Sequence, residues 1–334
     1  MKEAMFYEPI ADNKIKCSLC HQSCVINPDK FGLCGVRQHR EGKLYTHVYG
    51  KAIAQAIDPI EKKPLFHFMP ASYAFSIGTR GCNFRCLHCQ NADISQIETA
   101  ADISRDPTAL PEEVVNKAAT SDCASIAYTY TEPAIFYEYA YDTAVMAREK
   151  GIKNVFVTNG YIGTEALKQI APVLDAANID LKFYRDDHYR RICGARLQPV
   201  LDNIRMHYEL GVWIEVTTLI MPGYNDDEKQ LAEIAGFIAG IDDNIPWHVT
   251  GFYPTYKLTD TVPTSPSMLH RAVEIGRRAG LRYVYIGNVG GNADTNCPSC
   301  GKKVITRSMG RVTTNTLGQG SCPECGAGIA GVWE

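Results

Sequence analysis

The stretch Tyr73-Ala-Phe-Ser-Ile-Gly-Thr-Arg-Gly-Cys82-Asn-Phe-Arg-Cys86-Leu-His-Cys89-Gln-Asn91 runs from a strand-like segment into a loop with three cysteines. Tyr73–Thr79 is apolar and aromatic and reads as a strand. The same rhythm continues downstream. Strands are expected at Ala124–Tyr130, Asn154–Thr158, Ile179–Phe183, Trp213–Met221, His248–Tyr253 and Arg282–Ile286. Helical segments separate them. Pro111–Thr120 starts with Pro followed by Glu112 and Glu113, and Ala134–Lys150 is closed by Gly151. Thr164–Leu174, pieces between Asp186 and Leu210, Asp226–Ala239 and Ser267–Ala279 complete the set. Regular βα alternation predicts a parallel sheet covered by helices. The repeats fall short of eight, so the expected fold is α/β, a partial (β/α)6-type open barrel over residues 73–290. A doubly wound open sheet is the alternative.

The 334-residue chain is long enough for such a core with appendages. Its formal net charge of −3 predicts no nucleic-acid-binding surface. No apolar run is long enough to span a bilayer, and the N-terminal MKEAMFYEPI lacks a signal-peptide core. A cytoplasmic location without membrane partners is the expectation.

Eleven of the thirteen cysteines fall into three compact groups, which favours metal sites over disulfides. Cys82, Cys86 and Cys89 are separated by three and two residues. Three thiolates can hold three irons of a [4Fe–4S] cluster and leave the fourth open, which turns an electron carrier into a catalyst. A zinc knuckle would need a fourth ligand, for which His88 is the nearby candidate. Cys297-Pro-Ser-Cys300-Gly and Cys322-Pro-Glu-Cys325-Gly are paired knuckles around a β-rich insert, Lys302–Leu317. They predict a zinc-ribbon-like tail over residues 291–334, with rubredoxin-like iron as the other reading. Cys17, Cys20, Cys24 and Cys34 lie in an N-terminal cysteine-rich segment, residues 1–72. Their spacing fits neither ferredoxin pattern, so a structural metal is expected first and an auxiliary cluster second.

The central Cys-x3-Cys-x2-Cys after the first strand resembles the signature of the radical S-adenosylmethionine (SAM) superfamily, with His88 where an aromatic residue is usual. Within it the chain resembles the pyruvate formate-lyase activating enzyme branch. More narrowly it is similar to the radical SAM member of the AmmeMemoRadiSam group, on the N-terminal cysteines, Tyr128-Thr-Tyr-Thr-Glu132-Pro133 and the tail knuckles ending in Gly-Val-Trp. The resemblance implies a [4Fe–4S] cluster and SAM as cofactors. It places Glu132 where the family's Gly-Gly-Glu binds the SAM amino group, although both glycines are absent; capping of the following helix is the alternative role. Asn159 falls in the segment matching Asp-Thr-Asn-Gly of the activating enzymes, where Val157 replaces the cation-binding Asp. Strand alternation points Asp180 and Lys182 into the barrel mouth, where an unpaired charge would be costly. They match the Asp-x-Lys that contacts the amino-acid part of SAM. Glu215 is expected to face inward too, at a position where activating enzymes tend to carry Arg, and is a candidate substrate-pocket or SAM contact.

The implied activity is reductive SAM cleavage to a 5′-deoxyadenosyl radical that abstracts hydrogen from a protein or small-molecule substrate. It needs an external one-electron donor. The family resemblance also suggests Memo-like and AMMECR-like partner proteins. The competing class is a non-catalytic iron–sulfur and zinc module for electron transfer or assembly. An open iron and the inward Asp180/Lys182 pair argue against that class.

Overall fold

A computed structural model describes residues 1–97, 100–289 and 293–334. The core is one sheet of eight strands. β1 (Ala54–Pro59) and β2 (Tyr73–Gly78) are antiparallel. β3 (Ser125–Tyr128), β4 (Lys153–Thr158), β5 (Ala176–Asp180), β6 (Trp213–Ile220), β7 (Trp247–Gly251) and β8 (Val284–Gly287) follow in spatial order, each parallel to its neighbour from β2 onward. Among the described residues β8 and β1 do not pair, so the barrel is open. Six main helices provide the crossovers: α1 (Pro111–Thr120), α2 (Tyr137–Glu149), α3 (Thr164–Ile170), α4 (Leu197–Glu209), α5 (Glu228–Ala239) and α6 (Pro266–Arg278). The expected partial (β/α)6 barrel is the observed architecture, with β1 as an added edge.

Local sequence explains most boundaries. Pro111 supplies a preset first turn to α1, and Glu113 reaches back to accept the Leu110 N–H at 2.9 Å. Asp227 caps α5 by accepting from Gln230 N at 2.9 Å. Strand β5 departs from expectation. It spans Ala176–Asp180, three residues earlier than the expected start, because Ala176 and Ala177 are fully buried between β4 and β6. Burial there outweighs the weak strand preference of Ala and Asn. Asp180 is consequently the last strand residue, and Lys182 follows where the chain leaves the sheet.

The N-terminal segment forms two small antiparallel sheets, Lys2–Glu3/Lys43–Thr46/Arg37–Arg40 and Tyr7–Ile10/Lys14–Cys17/Val25–Ile26. A buried ion pair fixes it to α2: Arg37 lies 3.0 Å from Glu138, which also accepts the Met5 N–H at 2.6 Å. Buried pairs of this kind are expensive to break from one side. β1 falls within residues 1–72 but is hydrogen-bonded into the barrel sheet. The tail folds as a three-stranded antiparallel sheet, Thr295–Asn296/Lys303–Ser308/Arg311–Asn315. The expected boundary between residues 290 and 291 lies outside the described residues. No helix among the described residues is long and apolar enough to cross a membrane.

The tail closes the N-terminal end of the barrel. Arg307 donates to the Phe66 carbonyl at 2.7 Å and lies over the Phe66 ring at 4.4 Å. Met69 N donates to Val332 O at 2.6 Å. Function is thereby directed to the opposite end, where the C-terminal ends of parallel strands and their loops are free to form a site.

Candidate active site

The loop after β2 carries Cys82, Cys86 and Cys89 to the C-terminal mouth of the barrel. All three line one cavity of about 370 Å³, together with Asn159 from the end of β4, Asp180 from the end of β5 and Lys182 just beyond it. Thr217 and Leu219 of β6 also line it, as do Lys62 and the buried Lys63.

The loop is held from several sides. Arg85 donates to the carbonyls of Cys82 and Phe84 at 2.8 and 2.9 Å, and its backbone N–H reaches Cys193 O at 2.7 Å. Asn159 donates to Asn83 Oδ1 at 2.8 Å and lies 3.9 Å from Cys82 Sγ. Gly78 cannot be replaced without a shift, since a Cβ there would meet Thr129 O at 2.7 Å. The loop from Thr129 to Thr131 is thus pressed against the cysteine loop, and Thr131 donates to Thr79 O at 2.9 Å. Tyr130 has φ +67°, the left-handed region that favours glycine. It stands in the segment where the family's Gly-Gly-Glu would fall. Its conformation is held by Asn91 donating to its carbonyl at 2.6 Å and by its hydroxyl donating to Asp58 at 3.0 Å.

The sequence candidates separate once placed in space. Asp180 and Lys182 form an ion pair at 2.7 Å in the cavity wall. Burial by itself would lower the Lys182 pKa, but Asp180 and the neighbouring thiols Cys86 and Cys193 hold it well above the usual range. Lys182 therefore stays a cation. Glu132 is fully buried behind the wall and does not line the cavity. Its carboxylate accepts from Ala134 N at 3.0 Å, Thr158 Oγ1 at 2.8 Å and Asn159 N at 2.8 Å. Burial, partly offset by these donors, raises its pKa to about 7. The helix-capping role weighed for Glu132 is the one its contacts display. Glu215 faces inward as expected, yet it sits near the other end of β6, below the cavity. It accepts from Phe66 N at 2.9 Å, His67 N at 2.7 Å and His248 Nε2 at 2.6 Å, so it plugs the barrel floor.

Sequence reasoning did not identify Cys193. It ends a short π-helical turn, Tyr189–Cys193, and its thiol bonds to Cys86. That hydrogen bond, opposed by burial, draws the Cys86 pKa down. A lone cysteine gave no spacing signal for this contact. His88 is buried in the cavity wall, and neither ring nitrogen has a protein partner. Burial first, and then Lys182, pushes its pKa down to about 3, so the ring is neutral.

The residues at the mouth fit a cluster and SAM. Cys82, Cys86 and Cys89 converge on the cavity, and Cys193, behind Cys86, does not line it, so three thiolates face the site as an open-site cluster requires. The unpartnered His88 nitrogens leave polar valence for a small molecule, and the Asp180–Lys182 pair complements a zwitterionic amino acid. The tail differs. Cys297, Cys300, Cys322 and Cys325 have sulfurs all within 4.8 Å of one another, with Cys297–Cys325 and Cys300–Cys322 each at 3.7 Å. A tetrahedral ion with zinc–sulfur bonds of about 2.3 Å requires sulfurs roughly 3.8 Å apart. The tail can hold zinc or another single metal ion.

Comparison with known proteins agrees with the geometry. The profile of the radical SAM superfamily matches residues 76–235. An uncharacterized protein of Methanocaldococcus jannaschii is 48% identical over 310 residues, covering 92% of both chains. The pyruvate formate-lyase-activating enzyme of Clostridium pasteurianum is 23% identical over 186 residues, 54% of this chain and 77% of that enzyme. The fold is shared with a radical SAM methyltransferase from Sphaerobacter thermophilus at a TM-score of 0.51 and 14% identity, over 67% of this chain and 68% of that one. On its strand-borne cysteine loop and these relatives, the chain belongs to the radical SAM superfamily, with similarity to pyruvate formate-lyase activating enzymes.

Proposed function

We propose that this protein reductively cleaves SAM and uses the product radical to take a hydrogen atom from a substrate admitted at the barrel mouth. The observation that carries this reading is the shared cavity of Cys82, Cys86, Cys89 and the Asp180–Lys182 pair. When bound, the cluster and SAM supply a one-electron cleavage that yields methionine and a 5′-deoxyadenosyl radical. The chain's own work is positioning and exclusion. Cys82, Cys86 and Cys89 would hold three irons. Lys182 would pair with the SAM carboxylate and Asp180 with its ammonium. Asn159 orients the cysteine loop through Asn83. Leu219 puts an apolar side chain in the cavity wall.

An electron carrier needs no substrate-sized cavity beside its cluster, so the non-catalytic reading is not favoured. An external one-electron donor completes the proposed system. The family's association with Memo-like and AMMECR-like proteins remains a proposal about partners, and the AmmeMemoRadiSam assignment is proposed with it. The test replaces all three cysteines. C82A/C86A/C89A should stay folded, because all three side chains line the cavity and Ala is no larger than Cys. It should form no 5′-deoxyadenosine from SAM and dithionite. Product formation at the wild-type rate by this variant would falsify the reading.

A further inference from the structure

The N-terminal cysteines present a different arrangement from the tail. Cys17, Cys20, Cys24 and Cys34 line one apolar pocket whose centre a water-sized sphere can occupy. In a tetrahedral zinc site the sulfurs would be in mutual contact and leave no such room. Among the described residues, only the tail presents three or more metal-ligating side chains with all ligand atoms within 4.8 Å of one another. No three of the N-terminal thiols lie mutually within that distance, a property they share with Cys82, Cys86 and Cys89. Ligands to a multi-iron cluster bind different irons and must stand apart in this way.

Three of these sulfurs already accept backbone N–H groups: Cys20 from Gln22, Cys24 from Leu33 at 3.5 Å, and Cys34 from Val36. Hydrogen bonds of this kind stabilise and tune cluster thiolates. The fully buried Arg37 guanidinium also lines the cavity and can offset thiolate charge. Asn83, the residue after Cys82, forms part of the cavity wall, and its carbonyl accepts from Gln22 at 2.8 Å.

We infer that Cys17, Cys20, Cys24 and Cys34 hold a second iron–sulfur cluster, ligated by all four thiolates and placed beside the loop of the first. Full ligation leaves no iron open to SAM, so this cluster can only gain and lose an electron. The inference does not depend on SAM cleavage. The experiment uses the full chain, reconstituted anaerobically with ferrous iron and sulfide. Acid-labile sulfide counts clusters and ignores zinc or a lone iron in the tail. C82A/C86A/C89A should retain about two to four sulfides per chain, depending on cluster type. Its dithionite-reduced paramagnetic signal should be unchanged by added SAM. Adding Cys20→Ser and Cys34→Ser should abolish the remaining sulfide. Wild-type protein should carry more than the roughly four sulfides that one [4Fe–4S] site explains. Wild type holding only that amount, with about two zinc ions per chain, would overturn the inference whether or not the variants fold.

Discussion

Lys182 and Glu215 both point inward, yet their surroundings give them opposite duties. Lys182 is a cation in the cavity wall with Asp180 as its ion-pair partner, so an incoming carboxylate can share it. Lys182→Ala should weaken SAM binding about tenfold or more, equivalent to roughly 1.4 kcal/mol, with iron content near wild type. Equilibrium binding beside iron analysis checks this; loss of iron with unchanged SAM affinity would place Lys182 elsewhere. Glu215 is closed in by the Phe66 and His67 amides and His248. Glu215→Ala strands these donors and should cost about 3–5 kcal/mol of stability, as for a buried pair broken from one side. SAM affinity of the folded fraction should not change. Denaturant unfolding and a binding titration separate the two effects, and a selective loss of SAM affinity would return Glu215 to the pocket.

At the level of elements, strand ends and helix interiors make the site possible. Because β5 ends at Asp180, the chain turns outward and Lys182 donates its backbone N–H to Tyr189 at 3.0 Å. The π-helical turn that follows places Cys193 behind Cys86, in keeping with the frequent use of such turns at functional sites. Helix α4 covers this region and carries His207, which is fully buried, bonded at Nδ1 to Asn203 O at 2.7 Å and unpartnered at Nε2. Burial lowers its pKa to about 4, against the pull of that carbonyl. The folded protein then binds fewer protons than the unfolded chain between about pH 6.5 and 4. The stability contribution is fully present above pH 6.5 and is lost as pH falls, up to about 3 kcal/mol at the acid limit. Urea midpoints measured from pH 7.5 to 5 should fall for wild type and fall less for His207→Leu. Equal slopes in the two proteins would remove His207 as the cause.

Across the whole molecule, two cysteine-bearing appendages grip opposite ends of one open barrel. The N-terminal segment packs against the catalytic loop: a Cβ on Gly81 would meet Cys34 O at 2.6 Å, and Arg85 donates to Leu33 O. The tail packs against the floor, where Arg307, Phe66, His67 and Tyr285 interlock; His67 and Tyr285 are 2.5 Å apart. A metal bound by the tail would be coupled to its folding, because so short a segment has little core of its own. Cys322→Ser/Cys325→Ser should therefore lose the tail metal and lower the melting temperature by several degrees, on the order of 2–4 kcal/mol. SAM cleavage should persist in the soluble fraction, since the tail lies at the far end from the cavity. Metal analysis, thermal melts and the uncoupled 5′-deoxyadenosine assay test this together. Loss of cleavage in protein that is otherwise folded would give the tail a part in the chemistry.

Periodicity and spacing alone determined the parallel core, its six crossovers and the three cysteine groups, because these are properties of neighbours in the chain. Seven core strands were legible in this way, as was the inward direction of Asp180, Lys182 and Glu215. Depth along a strand was not. Alternation says which face a side chain takes, while the register between strands and the plug at Phe66–His67 decide whether it meets a cavity or a floor. The edge strand β1 gave no clear signal, since its residues are half exposed and it is recruited by pairing with β2. The contact of Cys193 with Cys86, separated by more than a hundred residues, and the docking of Arg307 onto Phe66 arise only when distant segments are packed together. Local sequence carries no energy term for such contacts, and tertiary packing supplies it.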